Sequence, residues 1–304
     1  MMNYAAIGQV SVSSIVFRGQ KTQEFPGGSG LYALSGLLLS DPQSMLIAGV
    51  GRDFEAFFGP WFDLNGASRD GLKIRTDYCN RNEIQLGEDG SVQECSVYGE
   101  VFHGVNFWES EIFARDLDPY LAGLRGLWTS GLWEDVYTEE MSAMRDRFGF
   151  RLFWNCVPAE EVTEETTERI LRTASVSDIW SLGREEGKKL FCAKDDSAVT
   201  EELRRLGKPC LYRAGTEGMY LIYGNEMEYV PALRSVGADE LPHLIGEGEC
   251  SSAAALVAFC EGKSAREICA CAAAAAGFHS FCTGPIPEIS REKFREAVGL
   301  FARG

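Results

Sequence analysis

Short apolar runs alternate along the chain with stretches whose apolar residues recur at helical spacing. Several of these runs are apolar nearly throughout, which is typical of strands covered on both faces. The alternation predicts an α/β fold, one domain over residues 1–304 with a mainly parallel central sheet and helices on both sides. The predicted strands are Tyr4–Val10, Met45–Val50, Leu127–Ser130, Arg151–Cys156, Ser177–Leu182, Pro209–Ala214 and Met219–Tyr223.

Polar residues mark the ends of three helices. Thr138, Thr163 and Ser290 each precede an amphipathic stretch and are predicted to cap its N-terminus. Gly149 is predicted to end the helix that follows Thr138. Two further segments, residues 11–26 and 83–105, have hairpin character without helices. They are predicted to form a small β sheet beside the main one.

Composition narrows the classes of function. The net charge of -16 argues against a nucleic-acid surface, because neutralising phosphates needs clustered Lys and Arg. None of the ten cysteines forms a C-x-x-C pair, so reduced thiols in the core are expected. The N-terminus lacks the basic region of a signal peptide, and the run Ala270–Ala276 is too short to span a bilayer. We therefore expect a cytoplasmic protein that binds neither nucleic acid nor membrane.

Several common catalytic motifs are absent from the sequence. There is no G-x-S-x-G elbow and no P-loop, and the segment after the first strand lacks the third glycine of a dinucleotide fingerprint. The three histidines, His103, His243 and His279, have no partners at metal-ligand spacing. A hydrolase is therefore not supported.

Four glycine-centred features occur in a fixed order. Each alone is a weak signal, since a short glycine motif is more often a turn than a phosphate site. The last precedes an apolar helix, so its backbone N–H groups are expected to converge at a helix N-terminus that favours anions. The features are Phe25–Tyr32, Ala48–Phe54, Gly215–Gly218 and Gly246–Glu249.

Together, this order and spacing resemble the ribokinase-like (PfkB) carbohydrate kinase family. The resemblance implies a three-layer ribokinase-like sandwich, with residues 11–26 and 83–105 as a β lid that often mediates dimerisation. It also implies transfer of phosphate from ATP, with Mg²⁺, to a hydroxyl of a small sugar, polyol or nucleoside. We accordingly expect such a substrate and a homodimer formed through the lid.

The resemblance assigns roles to particular residues. Glu249 takes the place of the family's catalytic base, which is an Asp, and Glu186 is expected near the magnesium waters. The expected anion hole comprises Gly246, Glu247, Gly248 and Cys250. The expected ATP-binding residues are Gly183, Gly215, Thr216 and Gly218. The expected substrate-binding residues are Ser13, Gly27, Gly28, Ser29 and Tyr32.

The sequence departs from the family where the chemistry takes place. Ser13 replaces the sugar-binding Asp, Tyr32 an Asn, Gly183 the Asn of Asn-x-x-Glu, and His243 an Asp upstream of the anion loop. Glu247 adds a second carboxylate to that loop, where like charges about 4 Å apart repel by roughly 1 kcal/mol in water and more in a drier cleft. These changes leave open a second possibility: a catalytically weak or inactive protein of the same fold that binds or regulates.

Overall fold

The computed structural model describes residues 2–88, 91–98, 110–233 and 243–303. These residues form fourteen strands and eleven α-helices. The strands are β1 (Tyr4–Ile7), β2 (Ser11–Phe17), β3 (Gln20–Lys21), β4 (Phe25–Gly27), β5 (Ser44–Gly51), β6 (Leu72–Thr76), β7 (Asn80–Leu86), β8 (Val92–Ser96), β9 (Gly126–Ser130), β10 (Arg151–Asn155), β11 (Ile179–Gly183), β12 (Cys210–Arg213), β13 (Gly218–Tyr223) and β14 (Glu226–Pro231). The helices are α1 (Ser29–Ser40), α2 (Phe54–Phe57), α3 (Gly59–Asn65), α4 (Asp118–Leu121), α5 (Asp135–Phe148), α6 (Glu164–Val176), α7 (Arg184–Leu190), α8 (Asp196–Leu206), α9 (Glu247–Cys260), α10 (Ala265–His279) and α11 (Arg291–Arg303).

The main sheet has nine strands in the order β14-β13-β12-β11-β10-β9-β1-β5-β6. The seven strands from β12 to β6 are parallel, and the pairs β12–β13 and β13–β14 at one edge are antiparallel. All seven strands predicted from apolar runs are present. The prediction missed β6 and β14, which lie at the two edges of the sheet and carry charged residues between their apolar ones.

Helices cover both faces of the main sheet. In β1, Tyr4 and Ala6 pack into a core with α1, α9 and α10, whereas Ala5 and Ile7 pack into a second core with α5, α6, α7 and α8. The alternation follows from the two-residue period of a strand, which sends neighbouring side chains to opposite faces. The expected three layers of helix, sheet and helix are therefore confirmed.

A second sheet of five strands lies beside the main one. Its strand order is β3-β2-β7-β8, with β4 paired to β2. Residues 11–26 enter it as three strands rather than the predicted two. The segment predicted at 83–105 begins earlier, at Asn80, and its residues 89–90 and 99–105 lie outside the described ranges.

The helix ends agree with two of the three predicted caps. The Thr163 hydroxyl accepts a hydrogen bond from the Thr166 N–H, and Ser290 precedes α11. The prediction for Thr138 is wrong, because α5 begins one turn earlier, with Glu134 at the N-cap position and no side-chain capping bond. The Thr138 hydroxyl instead donates to the Glu134 carbonyl at 3.2 Å, a bond open to a threonine inside a helix. Gly149 ends α5 in the left-handed conformation as predicted.

The cysteines agree in part with the expectation of reduced thiols in the core. All ten cysteines are free, and five are buried, but Cys95 and Cys192 are exposed and so do not belong to the core.

None of the helices in the described ranges has both the length and the apolar character that crossing a membrane requires.

Candidate active site

Three segments meet at the carboxyl-terminal edge of the parallel strands. They are the glycine loop before α1, the ends of β11 and β12, and the first turn of α9. In open parallel sheets this edge is where ligands bind, because the loops there diverge and leave a crevice.

The glycine loop before α1 fits closely against the chain after β1. Gly28 has a φ of 101°, and a Cβ there would lie 2.5 Å from the Gln9 carbonyl oxygen. The Gln9 N–H donates to the Ser29 hydroxyl at 3.4 Å. This bond holds the loop against the chain that follows β1, and the expected role of Ser29 in substrate binding stays a prediction.

Hydroxyl groups line the space between this loop and the second sheet. Ser13 and Ser11 of β2 are buried and share a hydrogen bond of 2.8 Å. A Cβ at Gly27 would lie 2.8 Å from the Ser13 hydroxyl oxygen and 2.9 Å from that of Tyr32. The Tyr32 hydroxyl is buried and has no hydrogen-bond partner among the described residues. Since buried hydroxyls are nearly always paired, this hydroxyl is a candidate partner for a polar ligand.

The first turn of α9 lies directly on the Tyr32 ring. Gly246 caps the helix with a φ of 90°, and a Cβ there would overlap the ring. His279 supports the other side of Tyr32, with ring centroids 5.4 Å apart, and its Nε2 lies 2.7 Å from the Ile245 carbonyl oxygen. Burial lowers the pKa of His279 to about 4, which keeps this ring neutral. The glycine at 246 is therefore required by both its backbone angle and its neighbour.

Two contacts fix α9 over the sheet. The Trp128 indole N–H of β9 donates to the Ser252 hydroxyl at 2.9 Å. Gly36 of α1 passes so close to the Cys250 carbonyl that a Cβ would overlap it. Cys250 was expected in the anion hole, but its backbone N–H donates to the Gly246 carbonyl at 3.1 Å and is not free for a ligand. The first-turn N–H groups before it lack such helical partners.

Glu249 lies between the hydroxyl-lined space and the strand ends. Burial raises its pKa, the Arg213 guanidinium opposes the rise, and the Glu186 and Glu94 carboxylates add to it. Burial also raises the pKa of Tyr32, with further contributions from Glu249 and then Glu94. Glu94 belongs to β8, where it accepts a hydrogen bond from Asn82, so the second sheet also approaches this carboxylate.

Glu247 is the second carboxylate of the turn. Burial raises its pKa to about 7, with a further rise from Glu249 and an opposing effect from Arg213. The raised pKa favours the neutral form of this side chain, so its charge conflicts less with an anion than the sequence suggests.

The ends of β11 and β12 contribute the remaining charges. A Cβ at Gly183 would overlap the Glu186 carboxylate, which thus occupies the space that a side chain at 183 would take. Arg213 is the register partner of Gly183, and its guanidinium packs on Gly248 of α9. Sequence reasoning missed Arg213, although a cation ending an apolar strand at the binding edge of a sheet is a recognisable signal.

The turn at Gly215–Gly218 joins β12 to the antiparallel β13, as predicted. Arg184 anchors it through ion pairs to Glu217 at 3.0 Å and to Asp196 at 2.7 Å. The Tyr229 hydroxyl also donates to the Glu217 carbonyl at 2.6 Å. Thr216 is exposed at the tip of this turn.

The structure thus brings most of the expected residues to one edge. Glu249, Gly246, Glu247, Gly248, Tyr32, Gly27 and Ser13 adjoin one another, and Gly183, Glu186 and the 215–218 turn lie at the adjacent strand ends. His279, Glu94 and Arg213 join them without having been predicted. Within the described ranges, no three His, Cys, Asp or Glu side chains are grouped closely enough to hold a metal ion.

The architecture and the position of this site define a ribokinase-like fold, which confirms the fold that the glycine motifs predict. A probable sugar kinase from Rhizobium etli superposes with a TM-score of 0.78 at 16% identity, covering 98% of this chain and 99% of that one. Arabidopsis thaliana ribokinase, complexed with ribose and ATP, superposes with a TM-score of 0.73 at 17% identity, covering 98% of this chain and 99% of that one. Salmonella enterica aminoimidazole riboside kinase, complexed with aminoimidazole riboside and an ATP analogue, superposes with a TM-score of 0.75 at 17% identity. The match covers 97% of this chain and 100% of that one.

These similarities are structural. No protein-family profile matches the sequence, and no curated protein matches it. Because the three identities are 17% or lower, the superpositions establish the fold, and the activity has to be argued from the site.

Proposed function

We propose that the protein transfers the terminal phosphoryl group of ATP to a hydroxyl of a small sugar, polyol or nucleoside. The observation that carries the proposal is the position of Glu249. Glu249 belongs to the first turn of α9, in which Gly246 lies on the Tyr32 ring and Gly248 lies against the Arg213 guanidinium. We infer that an acceptor on the Tyr32 side and a phosphate on the Arg213 side would meet there. The fold is shared with kinases whose structures contain ATP with ribose, or an ATP analogue with a riboside.

The residues present fit both reactants. The Ser13 hydroxyl and the Tyr32 hydroxyl, which lacks a partner in the described part of the chain, can bind an acceptor through hydrogen bonds. The glycines at 246 and 248 let a phosphate approach the N–H groups of the first turn of α9, where the helix dipole favours an anion. Gly183, Gly215, Thr216 and Gly218 are proposed to line the nucleotide.

In the proposed reaction, Glu249 accepts the proton of the acceptor hydroxyl as its oxygen attacks phosphorus. Its raised pKa suits a general base, because proton transfer is most efficient when the pKa approaches the working pH. The first-turn N–H groups of α9 donate to the phosphoryl oxygens. The second sheet is proposed to close over the acceptor and exclude water.

Mg²⁺ is proposed as the cofactor. When bound, Mg²⁺ neutralises charge on the phosphate oxygens. In phosphate-transfer sites Mg²⁺ keeps several waters and is held mainly by phosphates and one or two carboxylates. Glu186 is the residue proposed to orient those waters.

A screen for ADP release across sugars, polyols and nucleosides tests the activity. The expected result is ADP release with at least one class of acceptor and none with Glu249→Gln. Release that is the same in wild type and in this variant removes Glu249 from the mechanism.

A second function is favoured by one observation: the turn carries two carboxylates, and the Glu186 carboxylate lies where the family has an amide. On this view the protein is a binding or regulatory module with little or no catalysis. Calorimetry with ATP and Mg²⁺ separates the two. Binding with turnover supports the kinase, whereas no binding at millimolar nucleotide supports the module.

A homodimer through the second sheet is also proposed. Val92 of β8 and Val97 just after it are 38% and 52% exposed, so this edge offers apolar surface to a second copy. Light scattering of the wild type and of Val97→Asp measures the mass. A monomeric wild type, or an unchanged dimer in the variant, would place the contact elsewhere or remove it.

A further inference from the structure

Arg213 occupies an unusual position for a cation. It is the last residue of β12, and its guanidinium lies against Gly248, the second residue of α9. A Cβ at Gly248 would overlap Nη1 and lie 2.9 Å from Cζ. The absence of a side chain at 248 therefore lets the guanidinium reach the first turn of the helix.

A positive charge in that place is unfavourable by itself, because the N-terminus of a helix carries the positive end of its dipole. Other arginines of the chain are neutralised at close range: Arg184 pairs with Asp196 at 2.7 Å, and Arg69 with Glu55 at 2.8 Å. Among the described residues, no carboxylate lies within 4.0 Å of the Arg213 guanidinium. Its charge instead acts over longer distances on Glu247 and Glu249.

The guanidinium also lies between the two halves of the proposed reaction. Two residues after Arg213 begins the turn proposed to line the nucleotide, and Gly248 directly precedes the proposed base Glu249. A guanidinium binds phosphate oxygens through several charge-assisted hydrogen bonds. A group moving from the nucleotide to the acceptor would pass this side chain.

We propose that the guanidinium of Arg213 binds the phosphoryl group during its transfer and offsets the extra carboxylate that Glu247 places in the loop. This inference rests on the proposed kinase function and adds a catalytic residue to it. The bond between phosphorus and the bridging oxygen of ADP breaks, and the bond to the acceptor oxygen forms. The acceptor proton goes to Glu249. Arg213 gives up no proton and stabilises charge alone.

The test compares ligands that differ in the terminal phosphate. Binding of a non-hydrolysable ATP analogue with Mg²⁺, and of AMP, is measured by calorimetry in the wild type and in Arg213→Met. We expect the variant to bind the analogue roughly 10- to 100-fold more weakly, the loss typical of a charged hydrogen bond. AMP binding is expected to stay within about twofold, because AMP lacks the group that Arg213 contacts.

Three variants control the interpretation. Arg169→Met removes a partly exposed arginine of α6 that pairs with Glu134, and it is expected to bind both ligands like wild type. Arg213→Lys keeps the charge and is expected to retain part of the analogue affinity, which separates a charge effect from misfolding. Gly248→Ala displaces the guanidinium while leaving the arginine in the chain. If Gly248→Ala weakens analogue binding through Arg213, adding it to the Arg213→Met variant should weaken binding little further.

Failure of the role of Arg213 and failure of the proposed kinase function give different results. A wild type that binds neither ligand overturns both. A wild type that phosphorylates an acceptor, together with an Arg213→Met variant that binds the analogue equally well and turns over at the same rate, overturns the role of Arg213 alone.

Discussion

On one side of the first turn of α9 the side chains are hydroxyls, and on the other side they are charges. The hydroxyl side holds Ser11, Ser13 and Tyr32, packed against glycines that admit no side chain. The charged side holds Arg213 and the carboxylates Glu186, Glu247 and Glu249.

The difference concerns what a ligand does on each side. On the hydroxyl side a neutral ligand would pair with the Tyr32 hydroxyl, which has no partner among the described residues, and the gain would be modest. On the charged side a polyanion would change the balance among one guanidinium and several carboxylates. Because charges interact more strongly in a dry cleft than in water, the larger functional effects are expected on that side.

The largest expected effect is on turnover. Glu249→Gln removes the proposed base and is expected to lower kcat by roughly 10²- to 10⁴-fold with little change in the acceptor KM. Steady-state ADP release measures both constants. Glu165→Gln, an exposed glutamate of α6, is the matched control and should leave them unchanged. A Glu249→Gln enzyme with normal kcat would contradict the assignment.

The next effect is on stability, where the two sides adjoin. Gly246 and Gly131 have similar φ values of 90° and 97°, but only Gly246 faces a ring, whereas nothing lies within 4 Å of a Cβ at Gly131. Gly131→Ala is expected to cost about 1 kcal/mol from backbone strain alone. Gly246→Ala is expected to cost about 2–4 kcal/mol, since Tyr32 must also move. Denaturant unfolding measures the loss of unfolding free energy in each variant. Equal losses would show that Tyr32 can move aside at no cost in stability.

The charged side also predicts a dependence of stability on pH. The pKa of Glu247 is raised from 4.5 to about 7 in the folded state, so the folded protein binds this proton more tightly than the unfolded chain. The contribution is fully present below pH 4.5 and is lost as the pH rises through about 7. Unfolding of wild type and Glu247→Gln between pH 5 and 8 measures it. The variant should show a flatter profile, with a gain of up to about 3 kcal/mol relative to wild type at pH 8. Parallel profiles would place the titration elsewhere.

The smallest effect is expected on the hydroxyl side. Tyr32→Phe removes a hydroxyl that has no partner among the described residues, so stability should be unchanged or rise by up to about 1 kcal/mol. Tyr212→Phe is the contrasting control, because its hydroxyl donates to Asp196 at 2.7 Å. Its loss should cost about 1.5–3 kcal/mol. Tyr32→Phe should also raise the acceptor KM. A normal KM would exclude this hydroxyl from the acceptor site.

Much of the fold could be predicted from local patterns. Apolar runs located every internal strand of the main sheet, because strands covered on both faces must be apolar throughout. The edge strands β6 and β14 were not predicted, because they are partly exposed and therefore contain charged residues such as Lys73 and Glu228. The Thr138 cap was wrong because threonine also occurs inside helices, where its hydroxyl bonds a carbonyl one turn back.

The candidate site was predictable only where it is made of backbone. Gly27, Gly28, Gly246 and Gly248 could be recognised because a tight approach or a positive φ excludes other residues, whatever the ligand. The side chains that set the charge of the site could not be recognised in the same way. Arg213, Glu94 and His279 lie on three separate elements, and the packing of helix, sheet and second sheet brings them together.

The order of the elements, the glycine loop that opens α9 and the resemblance to ribokinase-like kinases can be read from the sequence, since these depend on neighbours along the chain. The electrostatics of that loop depend on the tertiary structure. The fold places the Arg213 guanidinium on Gly248, partly buries Glu247 so that its pKa rises to about 7, and leaves the Tyr32 hydroxyl without a partner among the described residues. Burial and charge are sums over everything nearby in space, and residues far apart in sequence supply most of those neighbours.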